Sequence, residues 1–257
     1  MLLAVDVGNT NTVAGLFAGG KLVDRWRITT DTSRTADEYA VLLNSLFTLS
    51  HQALPDVTDV IIGSVVPVAQ ETMIRSLQSR LDLHPVVVTP EIDAGLPVHY
   101  CPREAVGADR IANAVAAIAE YGAPAVVVDF GTATTFDAVS AEPAYVGGAI
   151  APGLEISQDA LFAHAARLTP VPLEAPPEAI GVTTRQSLQA GILYGYAGLV
   201  DGLVSRFRLQ LGERAAVIAT GGLAELVAPL ASTVQVQDED LTLKGLALIH
   251  ARGHGDQ

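Results

Sequence analysis

The sequence predicts an α/β chain built from two duplicated halves. Each half has a mixed sheet flanked by helices, and a cleft is expected between them. Three observations carry this prediction. Val5-Asp6-Val7-Gly8-Asn9-Thr10-Asn11-Thr12 recurs, altered, as Val128-Asp129-Phe130-Gly131-Thr132-Ala133-Thr134-Thr135, an offset close to half of the 257 residues. Each copy follows an apolar run, Leu2 to Val5 or Ala125 to Val128, and leads into a second apolar stretch. In each half the pattern of three hairpin-connected strands followed by alternating helix and strand gives a mixed sheet covered by helices.

The first half reads as strand, turn, strand, then a hairpin turn at Ala18-Gly19-Gly20-Lys21, and Leu22 to Thr29 returns as a third strand. Thr35 to Leu49 has helical spacing, with Thr35 and Glu38 placed as a capping box. Val60 to Val65 is a buried strand, and Pro67 opens a helix to about Leu81. Val86 to Val88 is a further short strand, and Thr89 to Arg103, with three prolines, reads as a substrate-facing loop or a link. A boundary at 105/106 then separates an N-terminal half, 1–105, from a C-terminal half, 106–257.

The second half opens with a helix over Ala108 to Tyr121, followed by strands at 125–130 and 133–140. A short strand near Tyr145 leads to a turn at Gly147-Gly148, and a helix is predicted over Ala160 to Ala166. Thr169 to Pro177 holds four prolines and reads as a loop. Thr184 to Leu211 is a long helix or a helix pair, and Gly191, Gly195, Gly198 and Gly202 on one face suggest close helix packing. Val217 to Thr220 is a strand ending in Gly221-Gly222 and followed by a helix, Leu241 to Ala251 closes the chain as a helix, and the last residues are expected to fray.

Composition narrows the function. Hydrophobic residues make up 49%, which argues for an ordered globule. No apolar run approaches the ~20 residues of a membrane helix. The start MLLAVDVG lacks the basic flank of a signal peptide. A formal charge of −13 disfavours broad nucleic-acid binding, although nucleotide binding needs only local donors and a metal ion. The single Cys101 excludes an internal disulfide and a cysteine zinc site, and suits a reducing cytoplasm. The six histidines show no metal-ligand spacing.

Several strings could carry chemistry. A carboxylate at a strand end, then glycine and hydroxyl residues in a tight turn, suits a polyphosphate with a hydrated metal ion. Asp6 could hold Mg²⁺ through water, with Asn9 to Thr12 as donors; an ordinary hairpin turn would use the same residue types. Asp129 to Thr135 repeats the pattern with three threonines. Gly107-Ala108-Asp109-Arg110 opens a predicted helix, where Asp109 suits the macrodipole and a cation beside it does not. At a cleft, Asp109 could accept a hydroxyl proton and Arg110 could bind a carboxylate or phosphate. Neither GxGxxG nor GxxxxGK[ST] occurs.

Taken together, DVGNTNT (6–12), GADR (107–110), DFGTATT (129–135), GGAIAPG (147–153), TGG (220–222) and DEDLTLKG (238–245) resemble the type III pantothenate kinases of the acetate kinase, sugar kinase, Hsp70 and actin superfamily. The resemblance implies ribonuclease H-like, actin-like ATPase halves. It implies ATP-dependent phosphorylation of pantothenate at its primary hydroxyl, the first step of coenzyme A synthesis. Asp6, Val7, Gly8, Asn9, Thr10, Asn11, Thr12 and Val13, with Thr132, would bind ATP and Mg²⁺. Asp109 would be the proton acceptor, and Gly107, Ala108, Asp109 and Arg110, with Tyr100 and Thr184, would bind pantothenate. Asp129 would bind potassium or ammonium. A cytoplasmic homodimer, without nucleic-acid or membrane partners, is also implied. A kinase for another acceptor and an ATP-binding regulator without catalysis are the competing readings.

Overall fold

The structure, a computed structural model, describes residues 1–92, 94–165 and 167–253. The chain divides into two compact units. One comprises Met1–Leu96, Tyr100–Ala116 and the chain from Leu241 onward, and the other comprises Pro97–His99 and Ala117–Asp240.

The first unit carries β1 (Leu2–Val7), β2 (Asn11–Ala18), β3 (Lys21–Thr29), α1 (Ala36–Leu49), β4 (Asp59–Ser64), α2 (Pro67–Leu81) and β5 (Val86–Val87). Its sheet order is β3-β2-β1-β4-β5. β1 pairs antiparallel with β2, and β2 with β3, while β4 runs parallel to β1 and β5 to β4. β1 is nearly continuous in apolar residues because both of its faces are covered. Leu3, Val5 and Val7 face Tyr39, Leu43 and Phe47 of α1 and Met73 and Leu77 of α2. Each such fully buried side chain contributes about 1.5–3 kcal/mol. The expected capping box closes α1: Glu38 N–H donates to Thr35 Oγ1 at 3.3 Å, and Thr35 N–H donates to Glu38 Oε2 at 2.7 Å.

α3 (Ala108–Tyr121) is followed by β6 (Ala125–Phe130), β7 (Ala133–Val139), β8 (Tyr145–Pro152), α4 (Leu154–His164), α5 (Thr184–Leu211), β9 (Ala216–Thr220), α6 (Ala224–Val227), β10 (Val236–Gln237) and α7 (Leu241–Gly253). The second sheet has the order β10-β9-β6-β7-β8. Its pairings repeat the first: β6 antiparallel to β7, β7 to β8, and β9 and β10 parallel. The repeated string in the sequence is thus the first hairpin of a repeated sheet. Val126, Val128 and Phe130 pack on Leu193, Val200 and Val204 of α5.

α7 belongs with the first unit although it closes the chain. Leu243 lies over Gly15 of β2 and Leu246 over Gly63 of β4, where a Cβ on the glycine would lie 2.9 Å and 3.0 Å from the leucine and force it to shift. Those small residues open the sheet face that α7 covers.

Three elements differ from the sequence expectation, and in a fourth, α5, the helix is as expected but the packing read from its glycines is not seen. β8 is an eight-residue strand, not a short strand and a turn. Gly147 and Gly148 pair with Ala138 and Asp137 of β7, and a register shift between Ala138 and Val139 absorbs the irregularity. An edge position tolerates glycines that would weaken a central strand. α4 begins at Leu154, because the strand ends at Pro152 and buried Leu154 anchors the first turn; the expected Ala166 lies outside the described residues, as do 254–257. α6 is a single turn, continued by a 3-10 turn at Ala228–Leu230 that contains Pro229. α5 is one helix of 28 residues, and a Cβ on Gly191, Gly195 or Gly198 would meet nothing within 4 Å. The glycine face therefore does not arise from close packing within the described residues.

Candidate active site

In the first unit the hairpin between β1 and β2 is the turn Gly8-Asn9-Thr10. Gly8 N–H donates to Asn11 O at 3.1 Å, and a Cβ on Gly8 would lie 2.9 Å from that oxygen. Thr30, just after β3, pins the turn. Its N–H donates to Thr10 O at 2.9 Å and its hydroxyl to Gly8 O at 2.7 Å. Because that proton is committed, Thr12 is the donor in the 2.8 Å contact between the two hydroxyl oxygens. Thr12 and Val7 are buried, so they serve the turn through backbone and packing. Asn9, Thr10 and Asn11 are exposed, and Asp6 and Val13 are half-buried.

The GADR string meets the same sheet. Asp6 pairs in register with Gly63 of β4, and a Cβ on Gly63 would lie 3.5 Å from Ala108 Cβ. The N-terminal turn of α3 therefore sits over the strand beside Asp6. Gly107 leaves room there for the Asp109 carboxylate, since a Cβ would overlap Asp109 Oδ1 and reach Val65 at 3.2 Å. The Asp109 carboxylate can fold back over the helix start and accept the Arg110 N–H at 2.8 Å. Burial pushes the Asp109 carboxyl above the usual carboxylate range, against the opposing pull of the Arg110 N–H and guanidinium. Arg110 is buried, and Tyr100 is half-buried in the irregular stretch before the string.

In the second unit the equivalent hairpin turn has only Gly131 and Thr132 between its strands. Gly131 N–H donates to Ala133 O at 3.1 Å. Asp129 pairs in register with Thr135 of β7 and Thr220 of β9. Gly221 has φ +91°, and a Cβ there would overlap Asp129 Oδ1 and lie 2.7 Å from Phe130 N and C. A Cβ on Gly153, at the start of α4, would overlap the Thr132 carbonyl. Asp129, Thr132, Gly153 and Gly221 thus form one close-packed corner. Thr184 is exposed as the first residue of α5, whose N-cap Thr183 accepts the Gln186 N–H at 3.2 Å.

Comparison with known proteins gives these corners a family. The model of type III pantothenate kinases matches residues 2–206. The chain belongs to the type III pantothenate kinase family. It is 48% identical over 256 residues to a type III pantothenate kinase of Myxococcus xanthus, covering 99% of both chains. It is 50% identical over 256 residues to one of Syntrophotalea carbinolica, covering 99% of this chain and 100% of that one. Among solved structures, component A of (R)-2-hydroxyglutaryl-CoA dehydratase from Acidaminococcus fermentans superposes with a TM-score of 0.59 at 15% identity, covering 100% of this chain and 99% of that one. At that identity the likeness is one of fold, duplicated ribonuclease H-like halves of the actin-like ATPase kind.

The family motifs are now placed physically. TGG supplies Gly221 to the Asp129 corner, GGAIAPG supplies Gly153 to Thr132, and DEDLTLKG opens α7. Thr30 escaped the sequence reading. Its only signal is a hydroxyl residue just after a strand that must return beside the first turn.

Proposed function

We propose that this chain transfers the γ-phosphoryl group of ATP to the primary hydroxyl of pantothenate, giving 4'-phosphopantothenate in the first step of coenzyme A synthesis. Full-length identity of 48–50% to type III pantothenate kinases carries the activity. The packing of the Gly107–Arg110 helix start beside Asp6 supports the assignment of roles.

In this reading the tight turn at Gly8 brings the chain close to the ATP phosphates, and Asp6 to Val13, with Thr132, forms the nucleotide contacts. The donor set at Asp6 fits Mg²⁺: one carboxylate at a strand end beside a turn too tight for a Cβ suits an ion that keeps water and phosphate oxygens. Asp6 would hold that ion through water, and the ion would supply neutralisation of the charge that develops in the transfer. Tyr100, the Gly107–Arg110 string and Thr184 contact pantothenate. Asp109 orients the hydroxyl and takes its proton as the new O–P bond forms and the bond to ADP breaks. Its raised pKa makes it a better acceptor than an ordinary carboxylate. Transfer through a loose transition state needs positioning more than a strong base. Asp129 is the ligand for potassium or ammonium.

The same reading gives a cytoplasmic homodimer without nucleic-acid partners. Among the described residues no helix is long and apolar enough to cross a membrane. The test is ADP release from purified protein with MgATP and pantothenate, in potassium and then sodium buffer, with sedimentation for the dimer. Pantothenate-dependent, potassium-stimulated release is expected. Release that ignores pantothenate refutes the acceptor, and equal rates in sodium refute the cation role of Asp129.

A further inference from the structure

We propose that Thr242 and Gly245 of α7 are positioning residues for the transfer, fixing where α3 holds Asp109. This rests on the reading of Asp109 as proton acceptor.

The contact between the two helices has two parts. A Cβ on Gly245 would overlap the Ala112 carbonyl and lie 2.8 Å from Ala112 Cα, so α7 meets α3 backbone to backbone. One residue further along α3, Thr242 Oγ1 donates to Asn113 Oδ1 at 2.8 Å, and Asn113 is fully buried. The close approach sets the spacing of the helices. The directional hydrogen bond sets their axial register, which apolar packing alone leaves soft.

Both contacts act on the turn that carries Asp109. Asn113 is four residues after Asp109, and so lies one turn along on the same helix face. Ala112 is three residues after it. α7 is in turn fixed to the sheet that carries Asp6: Leu243 Cδ1 would lie 2.9 Å from a Cβ on Gly15, and Leu246 Cδ2 3.0 Å from one on Gly63. α7 thus ties the height of α3 to the strand that ends in Asp6. Asp109 keeps its own local restraint, the Arg110 N–H at 2.8 Å, but that bond moves with α3. The hydroxyl at position 242 and the missing side chain at 245 have no other evident need, since neither residue lies among the proposed substrate contacts.

The test uses the full-length chain and four variants: Thr242→Val, Thr242→Ser, Gly245→Ala and Asp109→Asn. Displacing a reacting group by a fraction of an ångström lowers turnover without removing a binding contact. Thr242→Val is therefore expected to lower kcat about tenfold while the KM for ATP stays within about twofold. Thr242→Ser keeps the hydroxyl and is expected to restore kcat to within about twofold of the parent. Gly245→Ala is expected to lower kcat more than Thr242→Val does. Should that variant fail to fold, the Thr242 pair decides the matter alone. A folded Thr242→Val with the parent's kcat overturns the proposal, as does an equal loss in Thr242→Ser. Loss of activity in Asp109→Asn beside full activity in Thr242→Val overturns the positioning role alone. Full activity in Asp109→Asn overturns both the positioning role and the acceptor on which it rests.

Discussion

Gly221→Ala tests whether the Asp129 corner is held by backbone contact. A methyl group there would lie 2.7 Å from Phe130 N and C and would overlap Asp129 Oδ1. The two Phe130 atoms belong to a central strand, so no side-chain rotation relieves the contact. The residue also sits at φ +91°, where an L side chain is strained by about 1–2 kcal/mol. Overpacking adds about 1–3 kcal/mol. Lifting the β9–α6 corner off β6 would also stretch the bond from Leu223 N–H to Phe130 O, now 3.3 Å, worth about 1 kcal/mol. Together these effects cost about 3–6 kcal/mol, a fall in melting temperature of about 6–24 °C for a domain of this size. Circular dichroism on heating measures the fall, and a potassium titration of activity measures the displacement of Asp129. Gly195→Ala is the control, because a Cβ there meets nothing within 4 Å and the substitution is expected to stabilise by about 0.5–1 kcal/mol. Equal melting temperatures for Gly221→Ala and the parent would refute the reasoning.

Asp109→Asn is expected to lower kcat by about 10²- to 10⁴-fold, measured by ADP release. It is not expected to lower the melting temperature at pH 7. A carboxyl whose folded pKa is raised contributes stability at low pH and loses it as pH rises through that pKa, so the ionised form at neutral pH is a cost that Asn removes. The rate should fall on acidification through the raised Asp109 pKa, with the acid limb of the pH–rate profile above the usual carboxylate range; an acid limb at ordinary carboxylate values would contradict this. Thr30→Val removes the hydroxyl that holds Gly8 O and receives Thr12, and is expected to raise the KM for ATP roughly fivefold, the equivalent of about 1 kcal/mol, with a smaller effect on kcat.

Elements with strong local signals were legible in the sequence. The capping box of Thr35 and Glu38, Pro67 at a helix start, and the two Asp-Gly hairpins each depend on neighbours within a few residues. The misread elements depend on distant chain. β8 passes through two glycines because β7 pairs with it, and β10, of which the sequence reading said nothing, is a strand of two residues because β9 lies beside it. Glycine was the least legible residue type. Gly153, Gly221 and Gly245 exclude a Cβ for tertiary reasons, while Gly191, Gly195 and Gly198 have open space around them. Spacing made the α5 set look like a packing face, and nothing local marked Gly245 as the point where α7 meets α3.

The duplication also hides a difference between its halves. Asp129 and Gly131 follow Asp6 and Gly8 at an offset of 123, but the returning strands pair Val7 with Thr12 and Phe130 with Thr134, an offset of 122. The second turn is one residue shorter, so Thr12 corresponds to Thr134, both buried, and Val13 corresponds to Thr135. Register partners share a face of the sheet. Asp6 therefore has Val13 and Gly63 beside it, while Asp129 has Thr135 and Thr220. A carboxylate flanked by a methyl-bearing residue and a glycine offers room and few ligands, which suits an ion that keeps its water. A carboxylate flanked by two hydroxyls suits an ion held directly by protein oxygens. Thr135 Oγ1 donates to Asp137 Oδ2 at 3.3 Å, so its oxygen keeps its capacity to accept. Thr135→Val should accordingly raise the potassium concentration needed for half-maximal activity and leave the magnesium requirement unchanged. A shift in the magnesium requirement with potassium unaffected would reverse the assignment of the two ions to the two halves.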